Sequence, residues 1–169
     1  MLETTTEICH TPKGTCPPQA ACWSIRYAEF DDLETVLEMY MTALAEIKEN
    51  VCKPNPEKCR NTVYFSWAQA PCILLEKAGQ IVGFAGLKTV IPEYSDEPVL
   101  REYMWFIKPK HRSYKALKLI SDACQAVSDK FKIPLFMSHM VFDMDIPMKD
   151  KVLKRWGYKT STIEVNYGR

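Results

Sequence analysis

The sequence predicts an α/β or α+β fold, a single sheet with helices packed on it. Three observations carry this. The stretch "CILLEKAGQIVGFAGLKTV" (72–90) consists of two β-rich runs joined by a glycine-containing turn, the signature of a hairpin. "REYMWFI" (101–107) has the aromatic content of a buried central strand. Beyond it, Ala116, Leu119, Ile120, Ala123, Cys124, Val127 and Phe131 recur with a 3.6-residue period, which is a helix laid against that sheet.

Taken in order, the first two dozen residues include "TPKGTCPPQAA", whose prolines and glycine argue against regular structure, so 1–23 reads as an irregular arm. A single domain, 24–169, follows. A short alternation from Ile25 to Ala28 predicts a strand, then Asp31 as N-cap with Glu34 three residues on predicts a helix through Leu33, Val36, Leu37, Tyr40, Leu44 and Ile47. Between Lys48 and Pro71 the pattern weakens around "CKPNPEKC", and "TVYFSWAQA" is a short helical or extended piece. In the hairpin, Gly79 supplies the positive φ of the turn, and Gly83 and Gly86 in its second strand predict a bulge or a close backbone approach. The long helix is expected from near Ser113 to near Lys132, and "IPLFMSHM" is a further buried strand. A last helix starts about Pro147, shows Met148, Val152 and Trp156 on one face, and stops at Gly157. "YKTSTIEVNYG" closes the chain as a strand.

The 22 Lys and Arg nearly balance the 21 Asp and Glu, so the molecule has no strong overall field for nucleic acid or an anionic membrane. No apolar run of membrane-spanning length occurs, and "MLETTTEICH" lacks the basic and apolar regions of a signal peptide, which predicts a soluble cytoplasmic protein. Seven cysteines without an export signal read as reduced thiols. Cys9, His10, Cys16 and Cys22 offer zinc ligands in principle, but they lack the paired CxxC spacing of structural sites, so no metal is expected.

Anion recognition must then be local, and "IKPKHRSYKALKLI" (107–120) is the place for it. A strand ends, a proline intervenes and a helix begins. A helix start leaves up to four N–H groups without intrahelical partners and adds partial positive charge. Arg112 and Lys115 stand at that junction, with Lys108, Lys110, His111 and Lys118 nearby, so side chains and main chain can both meet phosphate oxygens. The bland alternative is a solvated basic turn.

These residues resemble the pyrophosphate loop of the GCN5-related N-acetyltransferases, whose pattern is Q/R-x-x-G-x-G/A after a strand and a proline. "IRYAEFDDLETVLEMY" is similar to that family's first strand and helix, "EKAGQIVGFAGL" to its second and third strands, and "KVLKRWGYK" to its late helix. Arg112 matches the Q/R position, while Lys115 and Leu117 stand where the family has glycine, and Gly or Ala; such glycine-poor loops resemble versions encoded by bacteriophages. The resemblance implies a mixed, mostly antiparallel sheet flanked by helices, acetyl-CoA as cofactor and a primary amine as acceptor. It places the cofactor along Trp105, Phe106, Ile107, Lys110, Arg112, Ser113, Tyr114, Lys115, Ala116 and Leu117. Glu102 matches the strand glutamate that often serves as general base, and His139 on the next strand is a second candidate. Their alternatives are an exposed strand-end carboxylate and a hydrogen-bonded core histidine. The family's late tyrosine is replaced by Leu153, which cannot donate a proton, so a second expectation is a binding or virion protein with decayed catalysis. A protein partner and a homodimer are further expectations.

Overall fold

The computed structural model describes residues 22–46, 53–137 and 154–155. They form a five-stranded sheet in the order β1-β2-β3-β4-β5, with β1 at Trp23–Tyr27, β2 at Ile73–Lys77, β3 at Gln80–Val90, β4 at Val99–Ile107 and β5 at Leu135–Phe136. The first four strands pair antiparallel and β4 with β5 pairs parallel, so the sheet is mixed and mostly antiparallel. Helices α1 (Leu33–Glu46) and α2 (Pro56–Trp67) cover one face, and α3 (Tyr114–Phe131) covers the other.

Each face has its own core because β side chains alternate. Beneath α3 lie Ile73, Leu75, Val82, Leu87, Trp105 and Ile107 with Ala116, Ile120, Cys124 and Val127 from the helix. Beneath α1 and α2 lie Leu74, Phe84, Met104 and Phe106 with Val36, Met39 and Val63. Phe131, expected on the buried stripe of α3, is half exposed because it is the helix's last residue.

Local chemistry explains the boundaries. The chain enters α1 through a 3-10 turn at Phe30–Asp32, where the Asp32 carboxylate accepts the Glu29 N–H at 2.8 Å and the Asp32 N–H donates to the Glu29 carbonyl at 2.9 Å. The capping pair therefore sits two residues before the Asp31 and Glu34 expected from sequence. Asp32 is also held by Arg26 at 2.6 Å, whose guanidinium reaches Glu76 at 2.7 Å and so ties β1 and β2 to the helix entry. Helix α2 takes up half of the stretch from Lys48 to Pro71 where the sequence pattern weakens: Asn55 accepts the Lys58 N–H at 3.0 Å and Pro56 occupies the first turn.

The hairpin turn is Ala78-Gly79, both at positive φ (54° and 73°), as a type I′ turn requires. The register slips between Gly86 and Leu87, so that Tyr103 is the extra residue of β4. A Cβ on Gly86 would lie 2.2 Å from the Tyr103 ring, which accounts for the glycine. At its far end α3 closes in a Schellman motif, with Ile133 N–H to Ser128 O at 3.2 Å, Lys132 N–H to Asp129 O at 3.3 Å, and Lys132 itself left-handed at φ 56°. Of the expected late helix, Lys154 and Arg155 are helical. Pro147, Met148, Val152, Trp156, Gly157 and the closing strand lie outside the described residues, as do Cys9, His10 and Cys16.

Candidate functional site

The junction between β4 and α3 is built as the sequence suggested, and its local bonds assign a task to each side chain. After Ile107 the chain makes a 3-10 turn at Pro109–His111, held by His111 N–H to Lys108 O at 2.8 Å. Ser113 is then the N-cap of α3, its hydroxyl accepting the Ala116 N–H at 3.2 Å. One of the four N-terminal donors is thereby taken by the chain itself. Tyr114 and Lys115 are exposed at the helix start, Ala116 is fully buried beneath it, and Leu117 packs against the core under α3. Positions 115 and 117 thus carry a solvent-facing and a core-facing side chain where sequence expected backbone clearance.

Arg112 is turned inward. Its Nε donates to the Ile107 carbonyl at 2.8 Å, its guanidinium pairs with Glu46 at the end of α1, and it stands 5.5 Å from the Phe106 ring centre. In this structure the arginine ties the first helix to the phosphate-loop candidate. Lys110 is exposed, and Trp105, Phe106 and Ile107 are buried strand residues whose side chains alternate between the two cores.

Glu102 lies on the α3 face, opposite Leu87 in register and close enough to Cys124 for its charge to raise that thiol's pKa, after burial as the first cause. It is 3% exposed, so the alternative of an exposed strand-end carboxylate does not hold. Described pairing between β4 and β5 is confined to Leu100 with Leu135 and Arg101 with Phe136. His139 lies outside the described residues.

On the opposite face Tyr103, which the sequence offers as a core aromatic before a catalytic acid, stands in a polar cluster. The Tyr103 hydroxyl and the Trp67 indole N–H are buried without a hydrogen-bond partner among the described residues, and Tyr40 meets Tyr103 edge-on at 6.0 Å. Burial, then the nearby Cys72, pushes the Tyr103 pKa well above that of a free phenol. The sequence signal for it is Gly86, expected at a bulge or close backbone approach: Gly86 pairs with Met104, and the extra residue Tyr103 lies against it.

No protein-family model and no curated protein sequence significantly matches the chain. Its fold, however, is shared with solved structures. A predicted acetyltransferase from Clostridium acetobutylicum, determined with acetyl-CoA, superposes with a TM-score of 0.65 at 15% identity over 86% of this chain and 96% of that one. A GCN5-related N-acetyltransferase from Ralstonia eutropha JMP134 gives 0.63 at 14% identity over 86% and 98%. The aminoglycoside N-acetyltransferase AAC(6')-Iy in complex with CoA gives 0.65 at 14% over 91% and 99%. With its mixed five-stranded sheet, two helices on one face and one on the other, the chain has the fold of the acetyltransferases.

Proposed function

We propose that the chain is an N-acetyltransferase that moves an acetyl group from acetyl-CoA to a primary amine. The observation that supports it most is the sequence of elements at one point of the shared fold: a bulged β4, a proline turn and a serine-capped helix start flanked by lysines. Acetyl-CoA, when bound, supplies an activated thioester. Main-chain N–H groups at the start of α3, Lys115 and Lys110 would hold its diphosphate, because a helix N-terminus and ammonium groups both favour phosphate oxygens. Trp105, Phe106 and Ile107 would line its path, and a main-chain N–H near Phe106 or Ile107 would stabilise the developing oxyanion. Arg112 would act indirectly, fixing the loop through Ile107 and Glu46. Glu102 is the base of this proposal, removing the proton that an acceptor amine must lose, with His139 as the second candidate.

What bears on the fit of the cofactor is that Leu117 is drawn into the core and Lys115 lies exposed. Calorimetric titration with CoA is the test. Binding in the micromolar range, together with acetyl-CoA turnover on a panel of amines, is expected; no heat at millimolar CoA with folded protein would end the proposal.

A second reading, a binding protein on this fold such as a bacteriophage virion component, is favoured by a specific observation. The chain itself occupies two of the groups an anion would use, the Ala116 N–H and the Arg112 guanidinium. Saturable CoA binding without turnover of any amine would select this reading.

A further inference from the structure

The described ion pairs join Arg26, Arg60, Arg112 and Lys118 to carboxylates, and Lys77, Lys108 and Lys110 belong to none of them. The charges of these three lysines all act on His111, although they come from the end of β2 and from the turn after β4. Lys77 Nζ stands 5.0 Å over the Trp23 ring, and the same ring meets His111 edge-on at 6.4 Å. Lys108 Nζ donates to the Ile81 carbonyl at 3.0 Å, which fixes it at the start of β3 and leaves two further ammonium hydrogens. At the centre is His111. Both its ring nitrogens are buried with no hydrogen-bond partner among the described residues. Burial first, and then the charges of Lys110, Lys77 and Lys108, hold its pKa below the usual histidine value, so the ring is neutral near pH 7 and has one N–H to donate.

Three ammonium groups that belong to no described ion pair, around an imidazole with no partner among the described residues, make a compact polyvalent site for a small, highly charged anion. A carboxylate carries one charge, whereas a phosphate monoester carries nearly two near neutral pH and three acceptor oxygens. One such patch, in a chain of almost balanced charge, is too small for a nucleic-acid track. We propose that Lys77, Lys108, Lys110 and His111, backed by Trp23, form a phosphate-monoester site beside the start of α3. Two sources share that chemistry: the 3′-phosphate of coenzyme A itself, and a separate phosphorylated molecule. Only the first source rests on the reading of the chain as an acetyltransferase.

The experiment compares CoA with dephospho-CoA by calorimetry, and follows inorganic phosphate through the imidazole NMR signal of His111, one of three histidines. The variant is Lys77→Gln, which removes the ammonium of a half-buried side chain outside the diphosphate cradle. Losing charge-assisted hydrogen bonds should weaken CoA about tenfold. Wild-type preference for CoA over dephospho-CoA, lost in the Lys77→Gln variant while dephospho-CoA binding is unchanged, assigns the site to the cofactor. Equal affinity for the two, with a saturable phosphate shift at His111 that the variant abolishes, assigns it to a separate phosphorylated ligand. If neither coenzyme binds, the acetyltransferase reading fails and the phosphate titration alone decides. No preference and no phosphate shift would overturn the site.

Discussion

At Tyr103 the backbone and the side chain ask for different things. As the extra residue of the β4 bulge it turns its ring onto the Gly86 backbone, and this buries a hydroxyl with no partner among the described residues. An unsatisfied buried hydroxyl costs on the order of 1–3 kcal/mol. Tyr103→Phe should therefore gain about 1 kcal/mol, seen as a rise of about 2–4 °C in Tm; a lower Tm would mean that the oxygen holds a buried water. Glu102 poses a question of chemistry at the same scale. If it is the base, Glu102→Gln should reduce kcat by about 10²–10⁴ while leaving CoA affinity intact. Unchanged turnover would pass the role to His139. Sequence named Glu102 from its place on a strand, but its burial came from facing α3, which no local pattern reports.

The elements carry two positions where an ordinary residue does a glycine's work. Lys132 adopts the left-handed conformation of the Schellman motif that ends α3, and Ala78 does so in the first position of the hairpin turn. A side chain with a Cβ in that region costs about 1–2 kcal/mol. Lys132→Gly and Ala78→Gly should each raise the stability measured by urea unfolding by about 1 kcal/mol, with unchanged m-value. The long helix was legible because its cap, period and end are all local. Of the helix at Pro56–Trp67 the sequence shows only the second half, as the helical or extended piece at "TVYFSWAQA", because the prolines of "PNPEKC" read as breakers although Asn before Pro is an N-cap followed by a first-turn residue.

For the whole molecule, burial of Cys72 between the sheet and the first two helices sets an alkaline limit. Burial pushes its pKa from 9.0 up to about 12, while Trp67, nearby outside hydrogen-bonding geometry, pulls slightly the other way. Because the folded thiol holds its proton more tightly than the unfolded one, this contribution is complete below pH 9 and is lost as pH climbs toward 12. The loss is on the order of 4 kcal/mol. Unfolding measured from pH 8 to 12 should show a steeper decline in the wild type than in Cys72→Ala; parallel curves would refute it. Cooperation between the layers also passes through Arg112, which joins the loop after β4 to the end of α1.

The sequence by itself determined the first four strands, the hairpin turn, the start and end of the long helix and the basic character of its approach. All of these follow from periodicity, capping and turn chemistry within a few residues. Tertiary structure alone decided the direction of each charge. Glu46 lies 66 positions before Arg112, and Lys77 reaches His111 from another strand. Such encounters depend on how antiparallel strands bring distant segments to one end of the sheet, and spacing along the chain does not encode them.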